Sequence, residues 1–580
     1  MKTLLVTTAL ENAWGTNEAI IFLGEWCKKY DRKDIWENRI HKTVPSHWND
    51  RTKLKTDHDY LKALHHALLI ELTPVLNRYH SVDRPLRYWQ MILDPWLVSF
   101  VAVIWDRWET LRSGLEGQNG ITTIEISSLS SFKTSYDYND YIKNILNDPW
   151  NYQLFLEMIK TEYPHQCEIV PVAEKEEKGN NIPAYNRLKR SVQERAWNIV
   201  DSMLALFTRR NKVVFVNSYF SPVSLTKLNV SLKQVPRLYR REFAWPRQVQ
   251  TAITAKNGKK ISLQLNALNS FEKFLFSRIE KDIPVIYLDA FQGLQRMVDK
   301  IDLQPKLILT ANAHWNNEVF KLWSAERIQK GVKFVAMEHG GCIPPSMSAF
   351  SFEEEVADIK TTWAAPYHKK HRQLPANKAT ALTLTLDGKY LGVVGYEMPR
   401  YNFRAESAPK AGQINIHNKM LFDLYDLLTP AIKDQFQVRP YPNVGLNTRQ
   451  QFVDKLGNAA ISAEPDYATF LSGSKIIVCT YPQTTFSEAM ASGIPSVLVY
   501  PKHLWESIPQ MDGLLESLTA AGIVFTDAKT AAEHINAVWN DPQQWWNSQV
   551  VINARQEFYE KAVDVSDWMK KWTSFIKELL

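Results

Sequence analysis

A chain of 580 residues is too long for a single hydrophobic core, so two domains of roughly 200 to 350 residues each are expected. The hydrophobic share of 45% is that of a globular protein, and the formal charge of +7 is spread thinly, without the concentrated basic stripe of a nucleic-acid reader. Cys27, Cys167, Cys342 and Cys479 show no paired spacing, which argues against a disulfide framework or a zinc site and fits a reducing cytoplasm.

At the N-terminus "TLLVTTA" reads as a first buried strand in preference to a signal peptide, because Glu11 and Asn12 follow at once with no small-residue cleavage site. "AIIFLG" is a second strand or the body of a helix. From about Tyr60 to Gly114 apolar residues recur at helical spacing, predicting a large helical addition. Its most apolar run, "WLVSFVAVIW", is about half the roughly 20 residues a membrane span needs, so no integral membrane helix is expected. "AEKEEKGNN", starting at Ala173, reads as a solvated loop. "KVVFVNSYF", "IPVIYLD", "LILTANAH" and "KFVAMEHGG" then read as strands with polar or small endings, implying a parallel sheet covered by helices. Ligands bind beyond the carboxyl ends of such strands.

"HRQLPANKATAL", from His371 to Leu382, is the predicted linker. A second strand and helix series follows, with strands "KYLGVVGYE", "FQVRPYP", "KIIVCTYP" and "PSVLVYP". The reading is a two-lobed α/β chain: 1–375 as an N-terminal Rossmann-like lobe with helical additions, 385–545 as a C-terminal lobe, and 546–580 as tryptophan-rich helices packing back across both.

The densest chemistry lies in "CTYPQTTFSEAMASGIPSVLVYP". Thr485 and Glu488 have the spacing of a capping box, Gly493 is a natural helix stop, and the helix would aim its partly positive end at a strand's carboxyl edge. A phosphate would sit well there, with Thr484 and Tyr481 adding hydroxyls; a well-capped helix without a ligand reads equally well. In "QVRPYPN", Arg439 supplies a fixed charge and Tyr441 a hydroxyl. In "VVGYEMPRYNFR", Glu397, Arg400 and Arg404 follow a strand, where arginines would neutralise a donor phosphate or carboxylate or else form surface ion pairs. Glu506 in "PKHLWES" would hold a sugar or ribose hydroxyl, and its neighbour Trp505 reads better as core.

On the N-terminal side Glu11 would face the cleft as a general base or simply begin a helix. In "MEHGGCIPP", His339 would bind phosphate, orient the acceptor or act as an acid, or only make a turn, while paired glycines let the backbone approach a ligand. Glu338 shares the catalytic candidacy with a place in a core hydrogen-bond network. Asn312 and His314 in "TANAHWNN" are acceptor-side candidates. Asp57 and Asp59 match Asp-x-Asp but read as helix-start acids, so no metal is expected.

The order of strand, "TYPQTTFSEAMASGIP" and strand resembles the nucleotide-sugar-binding segment of GT-B glycosyltransferases. "QVRPYPN" resembles the His-Pro segment of GT-B enzymes with cytidine-linked donors, with Tyr441 where histidine is expected. "RYWQMILDPWL", "EHGG", "PKHLWES" and "AAEHINAVWNDPQQWWNS" resemble a family of bacterial transferases of surface-carbohydrate biosynthesis. That resemblance implies a GT-B fold and a metal-independent transfer of a sugar from a nucleotide donor. The sugar would be a CMP-linked ulosonic acid of the Kdo, pseudaminic or legionaminic type. The acceptor would be a bacterial surface glycan or lipid-linked glycan. The residues themselves add the expectation of no cofactor beyond the donor substrate, no nucleic-acid partner, and a cytoplasmic site, with peripheral association at the inner face of the membrane through the aromatic and basic helices. The alternatives are a GT-B transferase of a polyol phosphate and a non-catalytic carbohydrate-binding or assembly factor.

Overall fold

The computed structural model describes residues 3–16, 18–129, 134–172, 204, 208, 211–244, 261, 263, 265–378, 388–464, 466–564 and 566–580. "AEKEEKGNN" and the end of the predicted linker lie outside the described residues.

Three five-stranded parallel sheets follow one another along the chain. The first holds β1 (Thr3–Val6), β2 (Ala19–Phe22), β3 (His41–Thr43), β4 (Ile121–Ile126) and β5 (Cys167–Val172) in the order β3-β2-β1-β4-β5. The second holds β6 (Val213–Val216), β7 (Leu307–Thr310), β8 (Lys333–Met337), β9 (Ile359–Thr362) and β10 (His371–Gln373), paired in simple sequence order. The third holds β11 (Tyr390–Val394), β12 (Phe436–Arg439), β13 (Ser474–Cys479), β14 (Ser496–Val499) and β15 (Val524–Phe525) in the order β12-β11-β13-β14-β15. The second and third sheets are the two series legible in the sequence. The stretch 1–375, read as one lobe, carries a further complete sheet before them.

"IPVIYLD" is not a strand: Val285–Tyr287 form a short 3-10 turn, and the amides of Val285 and Ile286 donate to the carbonyls of Ser135 and Tyr136. The preceding helix runs to Asp282, so Pro284 and its apolar neighbours only turn the chain within the core.

Between β3 and β4 two 30-residue helices, Arg51–His80 and Leu86–Leu115, pack against each other. Asp50 caps the first by accepting from the amides of Thr52 and Lys53, and Ser81 ends it with a left-handed φ of 55°. Leu86–Leu115 is the one described helix long and apolar enough to cross a membrane, and 94% of its most apolar window is buried in the protein. It lies under the Glu318–Ile328 helix of the second domain, so one continuous apolar core runs beneath the first two sheets. The last helix, Trp568–Leu579, sends Trp572, Phe575 and Ile576 into the core of the second sheet.

Beyond the carboxyl ends of β1 and β2 the crevice of the first sheet is filled by residues 400–402. Arg400 pairs with Asp148 at 2.6 Å and donates to the Trp26 carbonyl, Tyr401 donates to Asp148 at 2.7 Å, and Asn402 donates to Asp106 at 2.9 Å. The carboxyl ends of the second and third sheets instead meet each other. The Gly341 amide donates to Thr484 Oγ1 at 3.1 Å, and the Ile508 amide to the Pro344 carbonyl at 3.0 Å.

Candidate functional site

The cleft between the second and third sheets gathers most of the polar strand endings. On its third-sheet side the strand order reverses between β11 and β13, the topological switch point where open parallel sheets bind ligands. Tyr481, two residues past the end of β13, packs against Tyr396 at 4.5 Å and lies nearly parallel to Trp505 at 6.1 Å; Tyr441 meets Tyr396 edge-on at 5.9 Å. Four aromatic rings thus line the crevice. The nearby His417 is buried with neither ring nitrogen hydrogen-bonded, and burial pushes its pKa down to about 4, so it is neutral. Arg439 ends β12 with its guanidinium 5.7 Å over the Tyr467 ring.

The Thr484–Ser492 helix starts two residues earlier than a Thr485 cap requires. Gln483 is the N-cap, and no side chain caps the helix. Thr485 therefore stands inside the first turn and Glu488 in the second, too far along for a reciprocal bond, and the capping box does not form. The Thr484 hydroxyl reaches across to Gly341 instead. Glu488 faces Lys378 of the opposite side; burial raises its pKa and the lysine counters. Gly493 closes the helix at φ 82°, the left-handed conformation glycine adopts without strain.

On the second-sheet side, the ends of β6, β7 and β8 bring Tyr219, Asn312 and His339 together. The Tyr219 ring lies over His339 at 6.3 Å with an interplanar angle of 26°, and Asn312 Nδ2 donates to the Tyr219 hydroxyl at 2.7 Å. Lys378 sits 4.7 Å over the Tyr219 ring. Tyr219 and Lys378 were not singled out in the sequence. The polar ending of "KVVFVNSYF" marks the place of the first, while the second follows β10 in a stretch that reads as linker.

His339 lies at the cleft floor, where solvent reaches it while protein surrounds it on most sides. That burial lowers its pKa, Glu353 opposes, and His314, Lys378 and Arg404 lower it further, leaving a neutral imidazole at pH 7. Glu338 is held by the backbone: Oε2 accepts the Trp363 amide at 2.5 Å, and burial pushes the carboxyl up to about 7. It ties β8 to the end of β9 and is not a free base. His314 is wholly buried, with Nε2 3.1 Å from Glu353 Oε1, so it acts on the cleft only through that carboxylate.

Four further sequence candidates are committed elsewhere. Glu11 stands beyond β1 of the first sheet, held by Arg32 at 2.7 and 2.8 Å, and does not belong to the cleft between the second and third sheets. Glu397, 1% exposed, accepts from the amides of Val444, Leu446 and Thr448 and from the Thr448 hydroxyl, so both its oxygens clamp the loop after β12. Arg400 is bound to Asp148 in the first domain and has no guanidinium to offer a donor. Glu506 is paired with both Nε and Nη2 of Arg51. Asp57 is buried against Lys53 and Trp48 within the Arg51–His80 helix.

The site thus defines an α/β protein with a ligand cleft between the facing carboxyl ends of two parallel sheets. The chain belongs to the LIC12162 family transferases, whose family model matches residues 3–576, and it is accordingly a transferase. No curated protein matches it. Among solved structures it is similar to MurG of Acinetobacter baumannii, with 11% identity, a TM-score of 0.30, and coverage of 63% of this chain and 99% of that one. It is also similar to SsfS6, a glycosyltransferase of Streptomyces sp. SF2575, with 11% identity, a TM-score of 0.26, and coverage of 63% and 90%.

Proposed function

We propose that the protein is a GT-B glycosyltransferase that moves a sugar, an ulosonic acid, from a CMP-linked donor to a bacterial surface glycan, working in the cytoplasm at the inner face of the membrane. The observation that carries this reading is the meeting of two parallel sheets at their carboxyl ends, sealed at Gly341 and Thr484, with His339 on one side and an aromatic-lined switch point on the other. The aromatic rings are suited to a nucleobase or ribose face. The start of the Thr484–Ser492 helix, with Thr485, and Arg439 would carry the donor phosphate.

In this reading the acceptor hydroxyl attacks the anomeric carbon while the bond from that carbon to the phosphate oxygen breaks, and the electron pair leaves with CMP. The acceptor's proton passes to the neutral ring of His339. Helix-end amides and arginine stabilise the charge that grows on the departing phosphate.

The test is a thermal-shift series with CMP, CDP, UDP, GDP and ADP on the wild type and Arg439→Ala. A nucleotide at a hundred times its dissociation constant stabilises by about 2.7 kcal/mol. Stabilisation by CMP alone, lost in Arg439→Ala, is expected. Stabilisation by UDP or GDP would remove the ulosonic donor, and no response to any nucleotide would remove the donor site.

A further inference from the structure

We propose that the cavity beside His339 seats the acceptor as a neutral hydroxylated sugar ring, and that all three domains build it. This rests on the glycosyltransferase reading above. The cavity measures about 390 Å³, within the roughly 300–1,000 Å³ of small-molecule sites. Asn312 and His339 come from the second sheet, Arg404 from the segment that follows β11 of the third, and Tyr138 with Asn139 from the Tyr138–Ile145 helix of the first.

Its floor is fixed before any ligand arrives. Glu353 Oε1 accepts from Trp315 Nε1 at 2.9 Å and lies 3.1 Å from His314 Nε2, while Oε2 pairs with Lys360 at 2.9 Å. Burial works against that charge, yet Lys360 and His314 hold the carboxyl well below its usual range.

Two polar atoms of the lining are buried and unanswered: Asn312 Oδ1 and Arg404 Nε. Buried polar atoms in folded proteins nearly always have partners. Asn312 is oriented by the bond from its Nδ2 to Tyr219, so Oδ1 is the atom left over. Arg404 has no carboxylate at ion-pair distance among the described residues. Its guanidinium lies 4.3 Å over the Trp315 ring and makes one long contact, 3.4 Å, to the Tyr138 hydroxyl. One open acceptor and one open donor beside aromatic walls match a sugar, whose hydroxyls both donate and accept and whose C–H face packs on rings.

Charge decides among sugars. Glu353, Glu354 and Glu406 line the cavity against Lys360 and Arg404, an excess of negative charge that disfavours a phosphorylated ring. With His339 also in the lining, a hydroxyl of the bound ring faces the proposed proton acceptor.

Saturation-transfer NMR on the full chain tests this with methyl β-galactoside, methyl N-acetyl-β-glucosaminide and galactose 6-phosphate as probes. Wild type should transfer saturation to at least one neutral glycoside and less to the phosphate. Asn312→Leu should weaken the transfer about fivefold, the factor one lost hydrogen bond carries. Asn139→Trp, a substitution at an exposed helical position on the rim, should block it while the fold is kept. Equal transfer in wild type and both variants, preference for the phosphate, or no transfer to any probe would each overturn the proposal. The nucleotide thermal shift reads the donor site separately: cavity-dependent sugar binding without any nucleotide response supports this cavity while the donor reading falls.

Discussion

At the scale of single residues, the structure separates side chains that wait for a ligand from those already spent on the fold. His339 is of the first kind, and its lowered pKa sets a direction. The ring is neutral above that pKa and becomes protonated as pH falls through it, so its capacity to accept a proton disappears on the acid side. With the donor found by thermal shift, kcat/KM should fall at acid pH in the wild type. His339→Gln should lose about 10²-fold or more in rate and the acid limb with it; a retained limb would assign the titration to another group. Glu338 is of the second kind. Its folded pKa of about 7 exceeds the ordinary 4.5, so the folded state holds a proton the unfolded chain releases. The stability this contributes is complete below about 4.5 and is lost as pH rises through 7. Glu338→Gln should therefore gain on the wild type between pH 5 and pH 8, by on the order of 1 kcal/mol, in denaturant titrations at the two pH values. Arg400 shows why the sequence could not make this division. Glu397 and Arg400 stand after a strand in the pattern of ligand-binding residues, but the partner of Arg400 is Asp148, 252 residues earlier. Burial opposes the Asp148 charge and Arg400 outweighs it. Removing the guanidinium in Arg400→Ala leaves the buried carboxylate with only the more distant Lys29 ammonium, 3.4 Å away, as a cation partner and should cost about 3 kcal/mol; Arg400→Met with Asp148→Asn should recover much of that.

At the scale of elements, continuous apolar runs ending in polar residues were legible, which is why β1, β6, β7, β8, β11, β12, β13 and β14 were found, with β2 left open between strand and helix. The other strands were hidden for physical reasons. β4, "ITTIEI", buries threonines inside a sheet, β5 carries Pro171, and β3 and β15 are only three and two residues long. The run at 283–289 failed in the opposite sense, since apolar composition alone does not tell a buried turn from a buried strand. The helix after β13 was placed correctly, but its first residue was not, because Thr484 is fixed by a contact from another domain. That contact yields a sharp expectation. A Cβ at Gly340 would lie 2.2 Å from Thr484 Oγ1, a separation that either swings the hydroxyl off the Gly341 amide or pushes the two sides of the cleft apart, breaking the seal in both cases. Gly340→Ala should abolish the nucleotide-induced thermal shift. Adding Thr484→Ala removes the clashing oxygen and leaves a Cβ at 3.5 Å, so the double variant should recover a shift that the single one lacks.

At the scale of the molecule, the additional sheet matters more than its distance from the cleft suggests. Residues of the first sheet, the two long helices and the helices of the second domain belong to one apolar core, and the Leu86–Leu115 helix is the layer between them. From the second domain, Val319, Leu322 and Trp323 are wholly buried in that core, and Lys321 donates both to the Ile92 carbonyl and to the Tyr287 hydroxyl. Uncovering a large apolar side chain costs about 1.5–3 kcal/mol, so exposing this face would consume a stability that for a whole domain is about 5–15 kcal/mol. The first domain also supplies Asp148, without which Arg400 is a buried, uncompensated charge at the entrance to the third. A fragment spanning 211–580, which keeps both sheets of the cleft, should therefore be insoluble or melt without cooperativity. In the intact chain, by the same argument, the first two sheets should unfold together in one calorimetric transition. A soluble, monomeric fragment with a cooperative melt and an intact nucleotide shift would show that the cleft stands on two domains alone, and that the shared core is a contact between finished units instead of the condition for their folding.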